Sequence, residues 1–499
     1  MRILLANPPC QIKLSDRRER YFVRAGSRWP FSNTKRREEP LDYIPFPFYL
    51  AYTSALLKKE DFDVYAHDGV AQNLTNKQFF DKVLEIDPDV VLFETSTPTI
   101  NYDLEFVNAI KAKKPDLTIV LAGPHVTTFP KETLKENRQV DYILQQEYEL
   151  AFLSLVKALR GSQAIEKIPG LCFRRDNEVV CNQPELIDPL DQLPFPDRDI
   201  FPSNEKPDLD LYWDGFCQHR PAVQMHASRG CPFRCNFCLW NQVMYDSGKY
   251  RCFSAKRIVD EMKHVRDNYQ AREIYFDDDT FTGNRQQVLA FCTELKKRQL
   301  DIKWSVMGDA MISDKTMIDA MANAGCIGMK FGVESGNKKI LKHIQKPIKF
   351  DKLKQVARWC AIRHIKTHAT FTFGLSGETK ETMEQTLNLA KNLDVDSVQF
   401  SITTPFPGTR YYDELKADGR LKAKGWEDYD GASSSIVKFE NLDRKTVVEF
   451  CKTASGKWLR HKIWDPSWMY RQIYNLNRMR QGQGWQAIGG RFKRFLELI

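Results

Sequence analysis

The chain runs to 499 residues, about three times the usual domain length, so two or three domains are expected. Its 42% hydrophobic, 12% aromatic and 28% charged residues exclude a fibrous or disordered chain and fit an ordinary globular one. No stretch approaches the ~18 apolar residues of a membrane span, and the apolar run from Ile3 to Ala6 is too short for a signal-peptide core, so a cytoplasmic location is expected.

From the N-terminus, short β-branched runs alternate with helical stretches. Strands are predicted over 2–6, 63–66, 89–93, 118–122 and 142–144, and helices over 49–59, 76–84, 102–111 and 150–159. This is the α/β pattern of a Rossmann-like, doubly wound parallel sheet, assigned to 1–160. Ligands of such sheets bind where strands end at the carboxyl edge. The segments leaving those ends are Asn7-Pro8-Pro9, His67-Asp68-Gly69, Thr95-Ser96-Thr97, Gly123-Pro124-His125-Val126 and Gln145-Gln146-Glu147, which read as one ligand rim. No Gly-x-Gly-x-x-Gly follows the first strand, which argues against an ordinary dinucleotide site. A basic stretch from Lys13 to Arg37 interrupts the path to the first helix, as a mobile lid or a surface insertion.

Residues 161–219, rich in Pro, Asp and Gly, read as a linker with a small hairpin over 170–180. A second βα series fills 220–415, with strands predicted over 222–227, 273–276, 302–306, 328–332, 367–373 and 397–403. Six such units predict a partial (β/α)6 barrel, because the eight-unit form takes ~250 residues. A mainly helical, basic and aromatic-rich extension covers 416–499. Its last 49 residues hold ten Lys or Arg against Asp465 and Glu497, most of the chain's net charge of +9, beside Trp458, Trp464, Trp468, Tyr470, Tyr474 and Trp485. A helical cap with solvated charges is one reading; contact with lipid headgroups, nucleic acid or an acidic partner is the other.

Twelve cysteines in a chain this long do not make a disulfide scaffold, and nine are scattered in apolar stretches as small core residues expected to stay reduced. The exception is Arg229-Gly-Cys-Pro-Phe-Arg-Cys-Asn-Phe-Cys-Leu-Trp240, which places Cys231, Cys235 and Cys238 on the loop leaving the first barrel strand, where active-site groups of such barrels sit. Three thiolates can hold three irons of a 4Fe-4S cluster and leave the fourth open. A structural zinc site would need a fourth ligand; Cys252 and His226 are candidates, but neither completes a finger spacing.

The Cys-x-x-x-Cys-x-x-Cys loop, with Phe237 before its last cysteine, resembles the radical S-adenosylmethionine (SAM) superfamily. That resemblance implies that Cys231, Cys235 and Cys238 ligate the cluster and that SAM chelates the open iron. Asp278 and Asp279, in Phe276-Asp-Asp-Asp-Thr-Phe281, stand where the family binds the methionyl amine. Glu334 and Ser335, in Gly332-Val-Glu-Ser-Gly336, resemble its ribose-contacting motif. Asp277, Ser376 and Glu378 read first as turn or capping residues. Asp309 departs from the arginine that many relatives carry nearby. The N-terminal domain in turn resembles the cobalamin-binding domain of the cobalamin-dependent radical SAM subclass, through Asn7-Pro-Pro9, Gly123-Pro-His-Val126, Ile168-Pro-Gly170 and Leu193-Pro-Phe-Pro-Asp197. It lacks the Asp-x-His-x-x-Gly loop that supplies a cobalt-ligating histidine elsewhere. The implied cobalamin contacts are Asn7, Pro8, Thr95, Ser96, Thr97, Gly123, His125, Val126 and Glu147.

The function so implied is a cobalamin-dependent radical SAM methyltransferase acting on an unactivated carbon. One SAM would methylate the corrinoid and a second would yield a 5′-deoxyadenosyl radical. The alternative within enzymes is a cyclase, ring-rearranging enzyme or oxidase that uses the same cofactors and transfers no methyl. The alternative of another class, membrane-surface or nucleic-acid binding through the basic tail, leaves the cysteine loop unexplained, so no nucleic-acid partner is expected. The expected partners are a small-molecule, lipid or peptide substrate and a reductant such as flavodoxin or ferredoxin, with peripheral membrane contact through the tail left open.

Overall fold

The computed structural model describes residues 1–13, 19–23, 31–35, 43–161, 164–176, 178–212, 214–431, 435–440, 442–485 and 489, with the backbone alone for those between 11 and 35. Much of the basic stretch from Lys13 to Arg37 therefore lies outside the described residues. What is described there is a small antiparallel sheet.

In chain order the first unit comprises β1 (Arg2–Asn7), the small sheet β2 (Gln11–Lys13), β3 (Glu19–Val23) and β4 (Phe31–Lys35), then α1 (Phe48–Lys58), β5 (Asp63–Asp68), α2 (Asn76–Ile86), β6 (Val90–Glu94), α3 (Ile100–Lys113) and β7 (Thr118–Ala122). It continues through α4 (Pro124–Thr128), α5 (Pro130–Glu136), β8 (Tyr142–Leu144), α6 (Glu149–Leu159), β9 (Leu171–Arg175) and β10 (Glu178–Cys181). The parallel strands run in the order β5-β1-β6-β7-β8. Strands such as Val90-Val-Leu-Phe-Glu94 are buried throughout because helices cover both faces of the sheet, so they read as unbroken apolar runs. The order of strand addition reverses between β1 and β6, and such a switch point is where ligands of these sheets bind.

The hairpin at 170–180 is not isolated in the linker. β9 pairs antiparallel with β8, through Ile143 opposite Cys172, and extends the first sheet. Gly and Pro marked the turns but carried no information about which edge the hairpin would find. Cys172 and Cys181, expected as reduced core residues, are cross-strand neighbours joined as a disulfide, which corrects that expectation for this pair. The remaining linker caps the opposite edge: Ala66 N donates to Asn204 Oδ1 at 2.7 Å and Asn204 Nδ2 to Val64 O at 3.1 Å, covering β5.

The second unit is β11 (Ala222–Met225), β12 (Ser228–Gly230), α7 (Leu239–Val243), β13 (Tyr250–Cys252), α8 (Ala255–Tyr269), β14 (Glu273–Phe276), α9 (Arg285–Lys297), β15 (Lys303–Gly308), α10 (Lys315–Asn323) and β16 (Cys326–Glu334). Then follow α11 (Lys338–His343), α12 (Phe350–Ile362), β17 (Lys366–Phe373), α13 (Lys380–Lys391), β18 (Ser397–Ile402), α14 (Arg410–Ala417), α15 (Arg444–Lys462) and α16 (Pro466–Gln483). Six parallel strands, β11-β14-β15-β16-β17-β18, form the partial barrel, and β12 and β13 make a separate two-stranded ribbon. Trp304, Val306, Met329, Phe331, Phe371 and Phe373 are fully buried in the main core beneath the helices. Their alternates along the same strands, Ser305, Lys330, His368 and Thr372, therefore line the opposite face, toward the lumen.

The C-terminal extension packs as a cap. Trp458 Nε1 donates to Ala390 O at 3.1 Å, Trp468 Nε1 to Asp396 O at 3.2 Å and Lys462 Nζ to Leu393 O at 2.9 Å. At the far end of α16, Arg220 N and Arg272 Nη1 donate to Gly482 O at 3.3 and 3.0 Å, so the helix spans from the β18 edge to the start of β11. Trp464, Tyr470, Ile473 and Trp485 remain exposed. Among the described residues, no helix is long and apolar enough to cross a membrane.

Candidate functional site

At the switch point the chain leaves β1 through Asn7-Pro8 and β6 through Thr95-Ser96-Thr97. The Asn7 side chain is fully buried and neither its Oδ1 nor its Nδ2 has a hydrogen-bond partner. An unmet buried amide costs about 1–3 kcal/mol, so this position suits a ligand carrying its own donors and acceptors. Gly123 has φ of +115°, and a Cβ there would stand 2.2 Å from Thr95 O. Only glycine lets the loop after β7 touch the loop after β6. Thr95 Oγ1 donates to Ala122 O at 3.0 Å, and Ser96 caps the turn Thr97–Thr99 before α3. His125 Nδ1 lies 3.4 Å from Thr97 Oγ1, with its ring edge-on to Trp426. Burial drives the His125 pKa down to about 3, so the imidazole is neutral. Thus Asn7, Pro8, Thr95, Ser96, Thr97, Gly123 and His125 all stand just past the carboxyl ends of β1, β6 and β7, about the switch point. Val126 instead packs into the apolar layer beneath the sheet.

Glu147, expected on the same rim, is elsewhere. Its Oε1 accepts from Arg229 Nη1 at 3.1 Å and Arg251 Nη2 at 2.9 Å, and its Oε2 from Arg251 Nη1 at 2.7 Å and Ile187 N at 2.6 Å. Both oxygens are saturated inside a fully buried ion network, so the carboxylate has nothing left for a corrinoid; this corrects the expected contact. The arginines hold the Glu147 carboxyl below its usual range against the opposing effect of burial.

Above the barrel, the cysteine loop follows β12. Gly230 has φ of +84° and a Cβ would meet Lys249 O at 2.2 Å, so this turn also requires glycine. Asp278 and Asp279 organise the loop backbone: Asp278 Oδ1 accepts from Ala227 N and Ser228 N at 2.8 and 2.9 Å, and Asp279 Oδ2 from Gly230 N at 3.0 Å. Asp278 Oδ1 is thereby committed to supporting the loop backbone, with the side chain 1% exposed. Gln242 Nε2 donates to the carbonyls of Cys235, Asn236 and Cys238 at 3.1, 2.9 and 3.1 Å, and Asn236 N donates to Ile344 O at 3.1 Å. Phe237 is buried in the main core.

Thr280 Oγ1 donates to Cys231 Sγ at 3.2 Å, and Cys235 Sγ lies 3.7 Å from Gln345 O. Burial pushes all three thiols up, Cys235 to about 12, and Lys346 opposes the shift at Cys231 and Cys235. Three neutral thiols on one partly buried loop suit metal ions that displace their protons. Among the described residues no three His, Cys, Asp or Glu side chains converge as a single-ion site requires. A cubane, whose ligands sit on separate corners, makes no such demand.

Glu334, at φ +70°, accepts from Thr372 Oγ1 at 2.9 Å, and burial raises its pKa. Ser335 Oγ accepts from Asn337 N at 3.1 Å, ahead of α11. Lys346, missed in the sequence, is the cation of this site. Its Nζ lies 3.3 Å from Asp309 Oδ2, over the Phe233 ring, and Cys231, Cys235 and Glu334 contribute to its field. The arginine missing near Asp309 is thus answered by a lysine from another loop. Asp277 accepts from Tyr43, and Glu378 accepts from Gly374 N at 3.2 Å and Thr382 Oγ1 at 2.6 Å, a turn-stabilising carboxyl whose pKa burial raises to about 7.

The sequence model of the radical SAM superfamily matches residues 225–390, and that of the B12 binding domain matches residues 41–156. An uncharacterized methyltransferase of Pyrococcus horikoshii is 32% identical over 84% of this chain and 88% of its own. An anaerobic magnesium-protoporphyrin IX monomethyl ester cyclase of Rubrivivax gelatinosus is 27% identical over 81% of this chain and 72% of its own. A cytidylyl-2-hydroxyethylphosphonate methyltransferase of Streptomyces wedmorensis is 23% identical over 87% of both chains. Among solved structures, the cobalamin-dependent SAM radical enzyme OxsB shares the fold with a TM-score of 0.69 at 16% identity, over 99% of this chain and 75% of its own. The radical SAM methyltransferase TsrM from Kitasatospora setae does so with a TM-score of 0.64 at 17% identity, over 86% and 82%. With a three-cysteine loop over one parallel sheet and a rim of neutral polar residues at the switch point of another, this chain belongs to the cobalamin-dependent radical SAM family, whose cofactors are a 4Fe-4S cluster, SAM and cobalamin.

Proposed function

We propose that this chain is a C-methyltransferase that places a SAM-derived methyl on an unactivated carbon of a small, polar molecule. The carrying observation is the joint presence of the two rims on one chain. Cys231, Cys235 and Cys238 would hold the cluster, and Asn7, Thr95, Thr97, Gly123 and His125 would face the corrinoid. When bound, the two groups supply reductive cleavage of SAM and a methyl carrier, chemistry that no side chain provides for a carbon without an acidic proton. Lys346, beside the thiols, would meet the SAM carboxylate, and Glu334 would accept from ribose hydroxyls. His125, neutral and hydrogen-bonded to Thr97, serves as a wall of the crevice.

The polar substrate follows from the lumen. Lys330 Nζ donates to Asp214 Oδ2 at 2.6 Å beneath the site, and His368 pairs with Ser397 Oγ at 2.8 Å. Ser305, Thr370 and Ser401 occupy equivalent inward positions. The half-buried hydroxyls of Thr370 and Ser401 offer a ligand polar partners that an apolar tetrapyrrole or acyl chain would leave unmet. The tail gives little support to a lipid substrate, since Lys462, Arg471 and Arg478 are bound to the barrel. Arg491, Lys493 and Arg494 lie outside the described residues.

The test is reconstituted holoenzyme given methyl-labelled SAM, a reductant and a small-molecule extract. Label should enter a water-soluble product. Label recovered only in methionine, with a product still formed, would overturn methyl transfer in favour of the ring-closing chemistry suggested by the cyclase relatives.

A further inference from the structure

The ribbon that carries the cysteine loop contains a conflict that only the first unit resolves. β12 and β13 are antiparallel with Arg229 directly opposite Arg251. Like charges in that position repel. Their side chains are 0% and 8% exposed, so water does little to screen them. Among the described residues, the carboxylates paired with them come from the end of β8 and the start of α6: Arg229 bonds Glu147 and also Glu149 Oε1 at 2.5 Å, and Arg251 bonds both oxygens of Glu147. The Arg229 guanidinium also lies 4.7 and 5.2 Å from the rings of Tyr49 and Tyr52 on α1. Arg229 is thus a plug from the second unit whose ion-pair and ring partners, Glu147, Glu149, Tyr49 and Tyr52, come from the first, with Tyr245 of its own unit beside it. Cys231 is two residues beyond it.

We propose that this plug and socket is an assembly lock: docking of the corrinoid unit relieves the Arg229–Arg251 repulsion, orders the ribbon and so sets the cysteine loop to retain its cluster. Glu147 and Glu149 are positioning residues that act on the cluster through Arg229 and touch neither cofactor. Cluster retention is then conditional on a docked corrinoid unit, which denies SAM a working cluster in a half-assembled protein. The inference rests on the cysteine loop being the cluster site.

The test uses the full chain, reconstituted anaerobically. E147Q/E149Q keeps the shape of the socket and removes its charge. Loss of iron to a chelator should accelerate at least tenfold and amide exchange over 228–238 should rise, with corrinoid bound per chain within twofold of wild type. Adding R251Q to that variant abolishes the Arg229–Arg251 repulsion and should recover most of the iron retention. Wild-type iron retention and exchange in E147Q/E149Q would overturn the lock, as would failure of R251Q to restore retention. If E147Q/E149Q fails to fold, E147M/E149L/R229M/R251M decides: a folded protein that retains iron supports relief of repulsion, and a folded one that loses it overturns it. Iron retained by C231A in an otherwise wild-type chain would mean that the cluster reading itself has failed, whatever the lock variants do.

Discussion

The two rims proposed to hold the cofactors are built by opposite means. At the switch point of the first sheet the groups are neutral: an unmet amide at Asn7, hydroxyls at Thr95, Ser96 and Thr97, and an imidazole kept uncharged by burial. Above the second sheet the loop is clamped by charge, with Asp278 and Asp279 on its amides, Gln242 on its carbonyls and the Lys346–Asp309 pair beside its thiols. A large ligand fringed with amides can be bound by shape and neutral hydrogen bonds. A compact anionic cluster needs its thiols fixed and its charge balanced. Each rim still depends on one glycine whose Cβ would collide with a carbonyl at 2.2 Å.

The largest expected effect lies on the charged side. K346M leaves Asp309 buried without its cation, which should cost about 3–5 kcal/mol, measured as a fall in unfolding free energy of the apoprotein. K346M/D309L should recover most of it, while SAM binding stays weak in both. If the double variant regained SAM affinity, Lys346 would be a structural partner only.

Next come the glycines, as crossed variants. G230A and G123A each force a left-handed backbone on alanine and a backbone collision, costing on the order of 1–3 kcal/mol. G230A should lose iron at least tenfold and keep corrinoid, and G123A the reverse, read as metal and corrinoid per chain. Parallel losses in both variants would erase the distinction between the rims. A smaller effect separates ligand from fold. Asn7→Leu removes a buried amide with no partner, so the apoprotein should be about 1 kcal/mol more stable while corrinoid binding weakens about tenfold. A destabilised apoprotein would show that Asn7 serves the fold.

What could be read in advance follows from the range of the forces. Strands 118–122, 142–144 and 273–276 have the bounds expected of them, because apolar runs ending at turn residues are local signals. The cysteine trio was legible because ligand spacing is written within one loop. Glu147 was misplaced because its partners stand 82 and 104 residues away, and a carboxylate's sequence neighbours do not reveal a distant arginine. Lys346 escaped for the same reason: it reaches the site from the loop after α11, and only the folded chain brings Asp309 and Cys235 to it. The hairpin and its Cys172–Cys181 pair depended on which strand edge lay free, which follows from the sheet as a whole.

The smallest effect is a pH dependence that divides the rims by one histidine each. His125 in the crevice and His368 in the lumen are both driven to about 3, His125 by burial alone and His368 by burial with Lys330 and Lys366 adding to it. A histidine whose folded pKa lies below its unfolded value of ~6.5 binds more protons when unfolded, so its contribution to stability is present above pH 6.5 and is lost as pH falls toward 3. Between pH 6.5 and 5.5 each should account for about 1 kcal/mol of lost stability. H125Q and H368Q should each flatten the pH profile by that amount in apoprotein unfolding, and the Glu378 carboxyl, which titrates in the opposite sense, cancels in the difference between curves. A profile for H125Q parallel to wild type would mean that the imidazole titrates in the folded protein as it does in the unfolded chain, and the neutrality of the rim down to pH 5.5 would fail.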